Sequence, residues 1–252
     1  MRRPSATTAK RSSRGSRNCW EASKMAEPTI GIIGAGKLGS TLARIGTQRG
    51  LPILIGSRHS VADLKWIIDT MAPGAVTLST PDVIKQADII ILAIPLSSYQ
   101  DLDPKALAGK IVLDATNYWK EVDGTVNNIS SLTESSSEVI QNYLADSLVA
   151  KAFNHMGYHD LEIEVDRHPD VRRAMAYATD HDEIRPTVEH VLSAFGFDPL
   201  DMGPLRFGLL LEPGSPLFGE AIPKVDFEDK IKHIYESDYG KKIVMARGSR
   251  IH

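Results

Sequence analysis

Cysteine is almost missing from this chain of 252 residues: Cys19 stands alone, so no intramolecular disulfide can form and no zinc site can rest on thiolates. A lone thiol fits a reducing compartment, and the expected location is cytoplasmic. Long apolar runs are missing as well. No stretch approaches the roughly 20 residues needed to cross a bilayer, so no membrane-embedded segment is expected. No Ser-His-Asp set, paired-carboxylate arrangement or metal-ligand spacing stands out either. The expected metal content is none, and no internal repeat is visible.

Charge of one sign is concentrated at one end. Residues 1 to 24 hold Arg2, Arg3, Lys10, Arg11, Arg14, Arg17 and Lys24 against a single acid, Glu21; taking them from the 29 basic and 32 acidic residues of the chain leaves 22 and 31. The body is therefore acidic, a poor surface for nucleic acid. The Ser/Arg-rich head has too few apolar residues to form a core and is expected to be a disordered basic extension over residues 1–27. It has some look of an organellar transit peptide, although an extension upstream of a start at Met25 accounts for it more simply.

What is present begins at Thr29. Thr29-Ile30-Gly31-Ile32-Ile33 reads as a buried strand, Gly34-Ala35-Gly36-Lys37-Leu38-Gly39 follows it, and Lys37 to Arg49 reads as a helix that stops before Gly50. Glycines at this spacing turn a strand tightly into a helix, admit a pyrophosphate to the backbone and aim helix amides at its charge. This is the signature of a dinucleotide site. At the end of the second strand, Ile53-Leu54-Ile55-Gly56, the Asp or Glu that would accept from the 2′-hydroxyl of NAD is absent. Ser57, Arg58, His59 and Ser60 stand there instead, and a guanidinium fork suits a 2′-phosphate, so the expected cofactor is NADP(H).

From Pro28 onward short apolar runs alternate with amphipathic segments. Strands are expected at Thr29–Ile33, Ile53–Ile55, Val76–Leu78, Asp88–Ile94, Ile111–Asp114, Leu148–Phe153, Ala174–Thr179 and Pro199–Met202. The fold class is α/β: a Rossmann-like, doubly wound, mostly parallel sheet of about eight strands with helices on both faces. Residues 28–205 would form the NADP-binding domain, and residues 206–252 a short C-terminal segment covering or flanking the substrate cleft. Helices are expected at Val61–Met71, with Leu64, Ile67, Ile68 and Met71 on one side, at Pro81–Gln86, Tyr99–Leu107 and Asp182–Ala194, and at Ser135–Leu144 behind a capping box, Ser135-x-x-Glu138.

Ligands of such a sheet bind at the carboxyl ends of its strands. Those ends carry Ala93-Ile94-Pro95, Asp114-Ala115-Thr116-Asn117 and Lys151-Ala152-Phe153-Asn154-His155-Met156-Gly157. Asn154 and His155 can donate to developing negative charge, Met156 can pack on a ring and Gly157 permits close approach.

These segments, with Gly56-Ser57-Arg58 and the closing Leu200-Asp201-Met202-Gly203-Pro204-Leu205, give the chain from about Pro28 to Leu211 a resemblance to the F420H2:NADP oxidoreductases, the NADP oxidoreductases dependent on the deazaflavin coenzyme F420. The resemblance implies hydride transfer between NADPH and coenzyme F420 as co-substrate. It implies a cofactor site at Gly34, Ala35, Gly36, Lys37, Leu38, Gly39, Ser57, Arg58, Ile94 and Pro95, and a deazaflavin against Asn154, His155, Met156 and Gly157, with Asn154 and His155 catalytic. Expected partners are a small-molecule redox co-substrate, with no nucleic acid and no membrane, and a homodimer is left open. Three alternatives stay open. They are a reductase of small keto or imino acids, usually a longer chain with a helical second domain; a ferric reductase resembling the cytosolic part of the metalloreductases, which would need a membrane haem domain that the hydropathy excludes within this chain; and a non-catalytic NADP-binding sensor.

Overall fold

The computed structural model describes residues 27–124, 131–165, 168 and 171–251. The expectation of a disordered head falls on residues that lie, Glu27 apart, outside this set. The first half of the described chain runs β1 (Ile30–Ile33), α1 (Lys37–Gln48), β2 (Ile53–Gly56), α2 (Val61–Met71), β3 (Val76–Thr77), α3 (Thr80–Gln86) and β4 (Ile89–Leu92). A 3₁₀ turn (Leu96–Asp101) leads into α4 (Pro104–Leu107), β5 (Ile111–Asp114), α5 (Lys120–Asp123), α6 (Ser136–Tyr143) and β6 (Leu148–Lys151). There follow α7 (Tyr158–Glu164), β7 (Ala174–Thr179), α8 (Arg185–Ala194) and β8 (Asp198–Asp201). A second 3₁₀ segment (Leu205–Leu211), α9 (Lys224–His233) and α10 (Asp238–Arg247) complete the chain.

The eight strands form one sheet in the order β3-β2-β1-β4-β5-β6-β7-β8, a Rossmann-like α/β arrangement. Neighbours are parallel except β6 and β7, which run antiparallel. The strand order reverses between β1 and β4, so the crevice at their carboxyl ends is the place where such folds bind nucleotides. Every residue of β1, β2 and β4 is buried, as expected for strands covered on both faces. Alternation divides their side chains: Ile30, Ile32, Ile89 and Ile91 join a core with α1, α2, α7 and α8, while Ile33, Ile90 and Leu92 join one with α3, α4 and α6.

Two expectations change. The expected helix Tyr99–Leu107 is two pieces, because Pro104 lacks an N–H and starts α4 behind Asp103, whose Oδ1 accepts from the Lys105 N–H at 2.9 Å. On α2 only Leu64 and Ile68 are buried; Ile67 and Met71 lie beside Trp66 on the exposed surface. The segment after residue 205 passes through the second 3₁₀ segment, an irregular stretch, α9 and α10, and packs Leu209, Leu210, Leu211, Leu217, Phe227, Ile234 and Ile243 against Ala174, Ala176 and Leu200 of β7 and β8.

Candidate active site

The turn from β1 into α1 is built from glycines that have no room for a side chain, and one that does. Gly34 has φ +109°, and a Cβ there would come within 2.3 Å of the Ala93 carbonyl; at Gly39 it would come within 1.9 Å of the Gly34 carbonyl. Gly36, by contrast, has an ordinary φ of −73° and would place a Cβ in open space. Gly36 is the N-cap of α1. It supplies no side-chain cap, and no acid stands in the first turn. The helices α2, α3, α6 and α10 all begin behind a serine whose side chain accepts a backbone N–H. The leading amides of α1 are thus left for an anion to satisfy, as a pyrophosphate would.

A cavity of ≈ 520 Å³ opens beside this turn, lined by Gly34, Ala35, Gly36, Ser57, Arg58, Ile94 and Pro95 among others. Seven of the ten residues expected to hold the cofactor therefore share one wall system. Of the other three, Gly39 is buried under the turn, Leu38 packs on the core, and Lys37 places its ammonium 5.4 Å from the centre of the Tyr158 ring. Ser60 has another duty: its Oγ accepts from the Asp63 N–H and caps α2. Ser57 Oγ accepts from the His59 N–H at 3.1 Å, which shapes the loop that presents Arg58. The Arg58 side chain is mostly exposed, its Nη1 3.9 Å from Asp101 Oδ2 across the cavity.

The end of β6 is arranged differently from expectation. Phe153 has φ +60°, rare for a bulky residue, and is held there by burial of its ring edge-on against Phe195. The turn aims the Asn154 carbonyl at Asn117, whose Nδ2 donates to it at 2.8 Å; Asn154 Nδ2 donates to Asn117 Oδ1 at 3.1 Å and to the Leu211 carbonyl at 2.7 Å. Because the two backbone carbonyls can only accept, both amide orientations follow. Asn154 Nδ2 is fully used, and its buried Oδ1 has no partner among the described residues. The expectation that Asn154 donates is corrected: the group it has left is an acceptor.

His155 is also corrected. Its ring is fully buried, edge-on to Phe227, and its Nε2 accepts the Ala176 N–H at 3.1 Å, so it belongs to the core. Burial pushes its pKa down to about 4, which keeps the imidazole neutral. Met156 lies in the core cluster with Leu161, whereas Gly157 is exposed as the N-cap of α7. Beneath this strand end Lys151 is fully buried, its Nζ donating to Asp114 Oδ2 (3.1 Å), the Thr116 carbonyl (2.7 Å) and Ser136 Oγ (3.1 Å). Glu212 Oε1 accepts from the N–H and the hydroxyl of Ser136, both at 2.7 Å, and burial raises its pKa. Asn117 stands in the strand-end run Asp114-Ala115-Thr116-Asn117 that the sequence pointed to. Asp101, Asp103, Thr80, Ile84 and Ala106 were not singled out from sequence, because they lie on helices or turns whose sequences carry no signal.

Residues 29–118 match the model of a family described as NADP oxidoreductase, coenzyme F420-dependent. Over 180 residues, 71% of this chain, the sequence is 27% identical to the metalloreductase STEAP3 of Rattus norvegicus; this chain spans about a third of that protein, 34% of its length. Among solved structures, a hypothetical protein of Sinorhizobium meliloti is 28% identical with a TM-score of 0.68, over 78% of this chain and 96% of its own. A candidate F420-dependent NADP reductase of Arthrobacter sp. FB24 reaches a TM-score of 0.61 at 23% identity, over 73% of this chain and 90% of its own, a likeness of fold. A reductive aminase of Aspergillus terreus, solved with NADPH, shares the fold at a TM-score of 0.52 and 17% identity, over 83% of this chain and 62% of its own.

Proposed function

We propose that this chain, whose residues 29–118 match the model of the NADP oxidoreductase family dependent on coenzyme F420, is an NADP(H)-dependent oxidoreductase whose second substrate is the deazaflavin coenzyme F420. One observation carries the reading: a single cavity joins the uncapped start of α1 to Ser57 and Arg58, at a β2 end that offers no carboxylate to a ribose. A helix end short of acceptors and an exposed guanidinium are what a pyrophosphate and a 2′-phosphate each require.

NADPH supplies a hydride from C4 of its nicotinamide, and a deazaflavin accepts one at C5. The chain's part is to bind and orient. The amides at the start of α1 hold the pyrophosphate, with Gly36 leaving the approach open, while Ser57 and Arg58 hold the 2′-phosphate. Ile94 and Pro95, where β4 has just ended, flank the path toward the nicotinamide. Asn154, fixed by Asn117 and by the Leu211 carbonyl, offers Oδ1 to an N–H of a bound ring or carboxamide. No side chain has to act as a nucleophile.

The test is to mix purified protein and NADPH with F420, free flavins, ferric chelates and small keto or imino acids in parallel. NADPH oxidation by F420 is expected. Turnover with keto or imino acids alone would replace this reading with that of a small-molecule reductase, and tight binding without turnover would favour a sensor. A ferric chelate is the second reading, supported by the similarity to a metalloreductase, and turnover with that acceptor alone would establish it.

A further inference from the structure

We propose that Asp101 sets how strongly the protein prefers a 2′-phosphorylated nucleotide, by competing with that phosphate for Arg58; the inference rests on the NADP(H) reading above. Arg58 and Asp101 both line the cavity, one from the loop after β2 and one from the 3₁₀ turn after β4. Asp101 Oδ2 lies 3.9 Å from Arg58 Nη1, and among the described residues Arg58 has no other ion pair.

The neighbouring acids show why Asp101 differs. Asp103 also lines the cavity, but its Oδ1 caps α4 by accepting the Lys105 N–H. Asp123 accepts the Ser97 N–H at 2.9 Å and the Trp119 N–H at 2.8 Å, which ties the 3₁₀ turn to α5. Among the described residues Asp101 holds no backbone group by its side chain, and its one polar side-chain contact there is Arg58. It is also mostly exposed, so neither capping nor packing accounts for it.

A 2′-phosphate needs both arms of the guanidinium fork, and to obtain them it must displace Asp101 or bind with a carboxylate well inside one Debye length. A 2′-hydroxyl carries no charge and suffers no such opposition. Asp101 therefore lowers affinity for NADPH selectively and narrows the preference that Arg58 creates. An exposed pair of this kind corresponds to an effect of about two- to fivefold.

The experiment is calorimetric titration of NADPH and NADH into wild type, Asp101→Asn, Asp101→Lys, Arg58→Ala and the Arg58→Ala/Asp101→Asn double variant. Asp101→Asn should tighten NADPH about two- to fivefold and leave NADH unchanged. Asp101→Lys should tighten NADPH further, with a steeper loss on adding salt. In the Arg58→Ala background the Asn substitution should do nothing, because the contested group is gone. An equal gain in that background would mean simple repulsion of the phosphate and would overturn the exchange. So would an unchanged NADPH affinity in Asp101→Asn while Arg58→Ala still loses NADPH selectively, and the cofactor reading would then stand. If wild type and Arg58→Ala bind both nucleotides alike, the cofactor reading itself fails.

Discussion

Arg58 offers a planar fork of donors at the end of β2, and a 2′-phosphate offers the matching oxygens. A charge-assisted contact of this kind contributes about 1.5 to 3 kcal/mol, so Arg58→Ala should weaken NADPH about tenfold to a hundredfold and leave NADH nearly unchanged. Titrating both nucleotides checks it; an equal loss would assign Arg58 to the pyrophosphate or the fold. His155 makes a different expectation. Its folded pKa, about 4, lies below the ordinary 6.5, so the unfolded chain takes up a proton that the folded chain refuses. The stability tied to its neutral form is complete above pH 6.5, falls as pH drops through the interval to about 4 and levels off below, by about 3 kcal/mol in all. Calorimetric unfolding between pH 7.5 and 4.5 should therefore show a declining Tm, and His155→Leu should flatten that slope while lowering Tm at pH 7.5 through loss of the Ala176 N–H acceptor. A slope unaltered in the variant would place the acid sensitivity elsewhere.

The glycine turn separates two duties within one element. Gly39→Ala would drive a Cβ into the Gly34 carbonyl, a backbone contact that cannot yield, and should destabilise the fold by about 3 kcal/mol. Gly36→Ala meets nothing and has a compatible φ, so Tm should hold. Its methyl group would stand where a pyrophosphate approaches, and NADPH and NADH should weaken together, by about tenfold. Paired melting curves and titrations distinguish the two variants; a Gly36→Ala protein that binds both nucleotides normally would move the pyrophosphate away from α1. Elements of this type were legible because their signals are local. The central strands β1, β2 and β4 show as apolar runs, and α6 shows as Ser135-x-x-Glu138, both halves of whose capping box form. α9 and α10 were not legible: each buries few side chains, Phe227 in one and Ile243 in the other, so no apolar stripe marks them.

Lys151, Asp114, Ser136 and Glu212 join β5, β6, α6 and the C-terminal segment in one buried polar network. The molecule's two halves meet there, since Glu212 follows directly on the 3₁₀ segment that Asn154 holds by the Leu211 carbonyl. Lys151→Met would remove the one cation and leave acids without compensation in the interior, at a cost of about 3 to 5 kcal/mol. Urea unfolding should show it as a marked fall in midpoint, and Lys151→Met/Asp114→Asn should recover part of the loss. A midpoint unchanged in Lys151→Met would mean that the network needs no cation, with Glu212 neutral in its buried site.

By itself the sequence determined the α/β class, the eight strands, the dinucleotide turn and the group expected at the 2′-phosphate. Each depends on residues adjacent in the chain, where φ restrictions and the periods of helix and strand act directly. The tertiary structure alone decided how the side chains at the end of β6 are placed. Asn154, His155 and Met156 read equally well as a wall, and only the φ of Phe153 and the seat of Phe227 send His155 into the core. It alone also set Asp101 across from Arg58, Asn117 against Asn154 and Glu212 above Lys151. Those pairings join strand ends and turns far apart in the chain, and their distances follow from sheet register and helix packing, which no single segment encodes.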